Sequence, residues 1–245
     1  MDPGRAELRK GSCRTLSKAE VQTAERSWGA TAVATAADQP RPRERGRGTL
    51  GLKRAADILG ALFVLIVLAP LWLSIILMIR IDSPGSALLR QTRIGRGGRE
   101  FAMFKFRTMI RDADRRKLEL LHMNEAEDGL FKISRDPRVT RFGRFLRSTY
   151  LDELPQVVNV LMGTMSLVGP RPLIPEEDAQ INGEARQRLT LRPGMTGPWQ
   201  VAGASRVPVR DMVKIDLEYV DSHTLWGDVQ LLLATCRHVL RRRGI

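Results

Sequence analysis

Two adjacent carboxylates, Asp152 and Glu153, stand just ahead of an apolar helix predicted from about Leu154 to Met162. Capping is the commonplace role for acids in such a place. Thr149 and Asp152 fit the S/T-x-x-D/E box. That register, however, would put Pro155 well inside the helix, where it breaks the hydrogen-bond ladder. With Asp152 itself as N-cap, Pro155 falls in the first turn, where its missing donor costs nothing. The positive end of the helix dipole would then keep the carboxylate ionised and attract phosphate. An ionised carboxylate can attack phosphorus as a covalent nucleophile. Its neighbour can help hold Mg²⁺, which takes oxygen ligands and shares its shell with substrate phosphates. Spacing alone leaves both readings open, a cap and a catalytic dyad.

Arginines surround this pair. Arg135, Arg138, Arg141, Arg144 and Arg147 recur every third residue. Steps of three drift round a helix, so all five cannot share a face, although Arg141, Arg144 and Arg147 can share a broad one. A solvated or headgroup-facing surface is the plain reading. Arg147, about a turn before Asp152, is the member best placed to reach a phosphate. In Gly169-Pro170-Arg171-Pro172 two prolines restrict the backbone around one arginine, as a bidentate phosphate clamp requires; an exposed Arg on a structural turn is the alternative. Arg192 opens a similar constrained loop, running to Trp199-Gln200. Lys105-Phe106-Arg107-Thr108-Met109 alternates basic and apolar residues, as a strand with one basic face would.

The elements that must position these groups are partly legible. Residues 87–93 and 100–107 flank the glycines Gly95, Gly97 and Gly98 and predict a β-hairpin. A helix is expected over about 109–122, a basic helix ending near Arg147, and another helix over 208–220. Residues 163–175 and 191–205, rich in Gly and Pro, read as ordered loops. Asp228 to Arg243 forms an amphipathic basic helix, suited either to an anionic membrane surface or to docking on the core with a solvated basic end.

The largest apolar feature is Ile58 to Ile79, without a single charge. As one straight helix it would span about 33 Å, enough to cross a bilayer. Pro70 breaks it into pieces of about 18 and 14 Å, neither of which spans alone. Both flanks are basic: Arg41, Arg43, Arg45, Arg47, Lys53 and Arg54 upstream, and Arg80, Arg90, Arg93, Arg96 and Arg99 downstream. A hairpin that enters and leaves by one face satisfies the positive-inside tendency at both ends. A re-entrant, monotopic insertion over 49–81 is therefore expected. It would follow a polar, disordered tail over 1–48, with at best a weak helix near Ser17 to Trp28, and precede a catalytic domain over 82–222 and a C-terminal helix over 223–245.

The composition fits one compact domain with accessories. Of 245 residues 43% are hydrophobic, and 40 Lys plus Arg against 27 Asp plus Glu give a net charge of +13. Such a surplus points to a polyanionic partner: nucleic acid, an anionic membrane or phosphorylated substrates. Cys13 and Cys236 exclude a disulfide scaffold. The scattered His122, His223 and His238 leave almost nothing for a zinc site.

The series KRAADILG, the apolar run, SPGSALLRQTRIGRGG, FKFRTM, DPRVTRFGRFLRSTYLDELPQVVNVLMGTMSLVGPRP and LRPGMTGPWQV resembles the bacterial sugar transferases. These are the monotopic phosphoglycosyl transferases that initiate exopolysaccharide and O-antigen assembly. The likeness covers roughly Leu52 to Asp221 in six ordered blocks. It implies a mixed α/β, mostly helical fold, with a re-entrant hydrophobic helix-hairpin and a small cytoplasmic catalytic domain seated on the membrane by amphipathic helices. It also implies a place at the bacterial inner (cytoplasmic) membrane. The reaction implied is transfer of hexose 1-phosphate from a UDP-sugar to polyprenyl phosphate, normally undecaprenyl phosphate, with release of UMP. The resemblance further implies a requirement for Mg²⁺ and a ping-pong route through a phosphosugar-aspartate. Carried onto this sequence, Asp152 matches the nucleophile and Glu153 its metal-associated partner. Arg147 and Arg171 match arginines implicated in phosphate or donor binding, and Lys105 and Arg107 lie in a matching motif. Larger members carry extra membrane spans ahead of this block, where this chain has a polar tail, so it resembles the compact form. A Ser-Pro pair breaks the hairpin in some relatives; here the pair is Ala69-Pro70.

Two alternatives differ in testable ways. A UDP-N-acetylhexosamine donor would use the same chemistry. A membrane-tethered nucleic-acid-binding or adaptor protein would account for the charge, but not for Asp152-Glu153 or for the prolines around Arg171. With dispersed basic residues and no recognisable nucleic-acid module, no nucleic-acid partner is expected. A homo-oligomer is compatible with the sequence.

Overall fold

The computed structural model describes residues 47–124, 133, 135–201 and 209–240, all within the unit Gln39–Ile245. The polar tail and its weak helix up to residue 46, and Arg241 to Arg243, lie outside the described residues. The apolar run forms two helices, α1 (Arg47–Val67) and α2 (Ala69–Asp82), bent by 62°. Pro70 falls in the first turn of α2, where its lack of an N–H leaves nothing unpaired. Around the bend Leu68 N still donates to Val64 O (3.0 Å) and Trp72 N to Leu68 O (2.9 Å). Among the described residues no single helix is long and apolar enough to cross a bilayer; α1 and α2 meet that test only as a bent pair.

One face of this pair sits on the rest of the fold. Ala61 on α1 packs with Met103, Val157, Val160 and Met165. Ile75 and Ile79 on α2 pack with Ala87, Phe106 and Leu146. The opposite face is apolar and uncovered: Leu59, Phe63, Ile66, Leu73 and Leu77 are 60–70% exposed. The base of α1 is fixed by a buried polar network. Lys53 Nζ donates to Asp228 Oδ2 (2.6 Å) and Val168 O (3.1 Å). Asp57 accepts from Ser166 Oγ and Leu167 N, and Tyr219 OH reaches Asp228 Oδ1 at 2.7 Å. Buried charges are held by such pairing. Lys53, read from sequence as a flanking charge, is therefore an interior ion-pair partner.

The hairpin is as expected: β1 (Leu88–Ile94) pairs antiparallel with β2 (Glu100–Phe106), Leu88 opposite Phe106. The next helix is shorter than its expected 109–122. α3 runs only from Ala113 to Glu119, followed by a 3-10 turn over Leu121–Met123. Met109 is engaged in a bridge to Val139, and Ile110 N donates to Arg138 O, so the chain is extended where the helix would have begun. α4 (Arg141–Ser148) is capped by Thr140, whose Oγ1 accepts from Gly143 N at 2.9 Å. α5 (Gln156–Met162) ends at Gly163, left-handed at φ 83°.

The two presumed loops contain paired strands. β3 (Ser166–Val168) and β4 (Gly194–Thr196) are parallel. Their backbones come so close at Gly169, Gly194 and Gly197 that a side chain there would strike main-chain atoms. Glycine content thus reports close strand approach here rather than irregularity. Short helices α6 (Pro175–Asp178) and α7 (Pro198–Val201), a 3-10 stretch over Gly183–Thr190, and the longer α8 (Val209–Ser222) and α9 (Leu225–Leu240) complete a mixed α/β, mostly helical fold. α9 is docked through Asp228 and a Thr235–Thr196 hydroxyl contact at 2.7 Å, while Trp226, Val229 and Leu233 stay exposed.

Gly143 is the tightest point between α4 and the strand edge, because a Cβ there would meet the main chain of Thr108. That carbonyl accepts from Thr140 N and cannot yield without breaking the α4 N-terminus. Gly143→Ala should therefore destabilise the fold by about 2 kcal/mol or more, read as a lowered unfolding midpoint, whereas Ala at the open Gly51 should not.

Candidate active site

Asp152 and Glu153 lie in a 3-10 turn, Leu151–Glu153, between α4 and α5. Asp152 is thus not the N-cap of α5. That helix begins at Gln156 after Pro155, which makes no side-chain cap. Tyr150, left-handed at φ 57°, turns the chain from α4 into the dyad. Few non-glycine residues adopt this conformation; here the ring is held against His238 of α9, centroids 5.8 Å apart.

The two carboxyls differ in electrostatics. Glu153 Oε1 accepts from Lys105 Nζ at 2.8 Å. Burial opposes ionisation of Glu153, but Lys105 first, then Arg171 and Arg93, outweigh it and hold the carboxyl below its ordinary value. Asp152 is in no ion pair among the described residues. Burial, then the Glu153 charge, pushes its carboxyl up to about 6, against the pull of Lys105 and Arg147. The carboxylate therefore does not owe its ionisation to the helix dipole: the aspartate sits outside the helix, half-buried beside a second carboxylate, and its carboxyl is raised rather than lowered.

Lys105 is delivered to Glu153 by Asn159. This buried polar residue in the otherwise apolar α5 accepts from Phe104 N (2.9 Å) and donates to Ala102 O (2.8 Å), fastening β2 to the helix that follows the dyad. Arg147 Nε donates to Thr108 Oγ1 at 2.9 Å. Burial, partly offset by the charges of Asp152 and Asp136, lowers its guanidinium pKa. Of the five arginines in the three-residue series, Arg138 is tied to Asp136 at 2.6 Å, while Arg135, Arg141 and Arg144 are exposed.

Arg171 also belongs to this group, since the Glu153 charge acts on it. Its guanidinium lies over the ring of Trp199 at 4.0 Å. Its backbone is pinned by its N–H to Asp216 Oδ2 and by its carbonyl, which accepts from Arg188. Arg188 is itself fully buried and paired to Asp216 at 2.9 Å.

Two expected members stand apart. Arg107 donates to the carbonyl oxygens of Ser83 (2.5 Å) and Pro84 (3.0 Å), bracing the turn after α2. Arg192 Nε donates to Gly163 O at 2.8 Å and lies near Arg54 and Arg96. Arg54 donates to Val160 O and Leu161 O, so Arg54 and Arg192 serve the C-terminal carbonyls of α5. Strand alternation had placed Lys105 and Arg107 on one face; Arg107 lies just past the end of β2 and turns to the Ser83 loop.

The profile of the family described as "Bacterial sugar transferase" matches residues 48–242. The chain belongs to this family. Within it the chain is 40% identical over 193 residues to "Galactosyl transferase CpsE" of Streptococcus agalactiae, covering 78% of this chain and 43% of the relative. It is 38% identical over 196 residues to "Exopolysaccharide production protein ExoY" of Sinorhizobium fredii, covering 78% and 87%. It is 39% identical over 197 residues to the "UDP-glucose:undecaprenyl-phosphate glucose-1-phosphate transferase" of Caulobacter vibrioides, covering 77% and 69%. The matched part thus spans under half the length of the first of these relatives, and of two further curated transferases.

Among the described residues no three His, Cys, Asp or Glu side chains converge as a ready-made metal cage. The adjacent Asp152 and Glu153 fit the sparser mode of Mg²⁺, which takes one or two protein carboxylates and completes its shell with water and substrate phosphates.

Proposed function

We propose that this sugar transferase moves hexose 1-phosphate from a UDP-sugar to polyprenyl phosphate, undecaprenyl phosphate in the relative named above, and releases UMP. The supporting observation is the asymmetry of the dyad: Glu153 is committed to Lys105, while Asp152 is in no ion pair among the described residues, half-buried and pushed up to about 6. An aspartate so placed is largely ionised at neutral pH yet poorly solvated, as a nucleophile requires.

In the first half-reaction an Asp152 carboxylate oxygen bonds to the β-phosphorus of the donor. The bond from that phosphorus to the bridging oxygen breaks, and UMP leaves with the electron pair. In the second, an oxygen of the lipid phosphate bonds to the same phosphorus and the Asp152 oxygen departs as carboxylate. The product is a lipid diphosphate sugar. Arg147 and Arg171 hold phosphate oxygens, and Lys105 keeps Glu153 anionic. Mg²⁺ held by Asp152 and Glu153 would offset charge developing on the phosphates.

The lipid acceptor suits the uncovered apolar faces of α1, α2 and α9. Apolar patches of this kind mark membrane contact, which supports a re-entrant seat on the cytoplasmic face of the inner membrane. The names of the relatives speak of galactose and glucose, which favours a simple hexose over an N-acetylhexosamine.

The test is UMP release by full-length protein in detergent with Mg²⁺, polyprenyl phosphate and each of UDP-glucose, UDP-galactose and the two UDP-N-acetylhexosamines. Turnover with one of the first two is expected. No UMP from any of the four would end this reading.

A further inference from the structure

We infer that Arg93 and Arg171 form a two-armed clamp for the diphosphate of the nucleotide-sugar donor, with Arg93 a substrate-binding residue in its own right; this rests on the proposed reaction. Arg93 lies near the end of β1. From sequence it counted only as a basic flank of the apolar run. In the fold it is inside the site. Ile94 N donates to Leu173 O at 2.9 Å, which lays the end of β1 along the Pro170–Leu173 segment. Arg93 Nη1 reaches Pro172 O on the same segment. The Arg171 charge acts on Arg93, and both arginines act on Glu153. The two guanidiniums therefore share one neighbourhood with the dyad.

What distinguishes this pair is that two guanidiniums act on each other and on Glu153 while neither is in an ion pair among the described residues. Among the described residues several interior cations are matched, Lys53 with Asp228 at 2.6 Å, Arg138 with Asp136 at 2.6 Å, Arg186 with Asp178 at 3.3 Å and Arg188 with Asp216 at 2.9 Å, while Arg54, Arg107, Arg147 and Arg192 donate to neutral protein oxygens. Arg93 makes no ion pair among the described residues. Its Nε is buried without a hydrogen-bond acceptor. Its two hydrogen bonds, to Pro172 O and Gln91 Oε1, are both 3.3 Å long and go to neutral oxygens. Arg171 makes no ion pair either, and its guanidinium rests on Trp199. The nearby Glu177 is engaged with Ile174 N at 3.3 Å, and Glu153 is engaged with Lys105.

Two half-buried guanidiniums that repel each other, offset by the charges of Glu177 and Glu153 but in no ion pair with them, favour an anion that joins them. Planar guanidiniums take phosphate oxygens in paired hydrogen bonds, so two of them suit a ligand with two linked phosphates. Of the proposed substrates, the donor carries that group. The lipid acceptor carries a single phosphate.

The experiment compares full-length wild type, Arg93→Lys and Arg93→Gln in detergent, with UDP and uridine as binding probes in calorimetry and with both substrates in kinetics. For Arg93→Gln the expected result is UDP binding and donor KM weakened about 10- to 100-fold, with polyprenyl-phosphate KM within twofold of wild type. Arg93→Lys should lie between the two. The weak binding of uridine, which lacks phosphate, should not change. Wild-type UDP binding in Arg93→Gln overturns the clamp, and so does an equal rise in both KM values. If Arg93→Gln fails to fold, Arg93→Lys decides, because loss of the planar fork alone must still weaken UDP. Calorimetry needs no turnover. Protein that binds UDP through Arg93 yet forms no phosphosugar-enzyme upholds the clamp and sinks the reaction; the reverse pattern sinks the clamp alone.

Discussion

Asp152→Asn is expected to abolish phosphosugar transfer, by at least about 10⁴-fold, because an amide cannot become the covalent nucleophile while Arg147, Arg171 and Lys105 remain to bind substrate. Incubation with UDP-sugar alone should load wild-type protein with hexose phosphate at Asp152, visible as a mass increment on the peptide carrying Asp152, and leave the Asn variant unmodified. An intact rate of lipid-linked sugar formation in the variant would overturn the mechanism. The same side chain sets a pH dependence. Only the carboxylate attacks, and the carboxyl is pushed up to about 6. Phosphosugar-enzyme formation should therefore rise with pH through about 6 and level off above it. The stability effect runs the other way. A carboxyl raised above its ordinary 3.8 favours the folded state when protonated, so its contribution is present below about pH 4 and is lost as pH rises through about 6. Above that pH the Asn variant should be the more stable protein, by about 1–2 kcal/mol after allowance for partial exposure. Loss of activity with a higher unfolding midpoint separates a chemical defect from misfolding.

Lys105→Met should have the second largest effect. It removes the cation 2.8 Å from Glu153 Oε1, leaving two carboxyls in one half-buried turn with no ion-pair partner for either. Two such groups do not both ionise easily, and their titrations become coupled. Lys105 also acts directly to lower the Asp152 carboxyl. The acid limb of phosphosugar-enzyme formation should move toward alkaline pH by about one unit or more. A move of one to two units lowers the ionised fraction at pH 6.5 by about 3- to 25-fold, so the rate should fall by that factor more there than at pH 9. Single-turnover rates measured across that range decide the matter. A uniform loss with an unmoved limb would show that Lys105 positions the turn without tuning it. Lys105→Arg, which keeps the charge, should restore much of the original profile.

Several features were readable before any coordinates. The β-hairpin showed in its glycine cluster and flanking strands, the bend of the apolar run in Pro70, and the basic helix ending at Arg147 in its charge spacing. Each depends on neighbours within a few residues, and local dihedral and charge rules act over that distance. The β3–β4 pair was hidden, because each strand is three residues long and its partner lies far along the chain. Asn159 carried a faint signal, one amide in an apolar helix, but its partners on β2 did not.

The sequence by itself determined which groups are available: a carboxylate pair after a basic helix, arginines held by prolines, and an uncharged segment that cannot stay straight. Only the tertiary structure decided which charges are free and which are matched. Lys53, Arg54 and Arg138 looked like surface cations and Arg107 like a cation of the site, and each is turned inward onto a carboxylate or a main-chain carbonyl. Arg93 looked no different, and folding brings it beside Arg171 with a main-chain carbonyl as acceptor and no ion pair among the described residues. Pairing of this kind spans up to 175 residues of chain. It is fixed by burial, where an unmatched charge is expensive, and not by spacing along the chain.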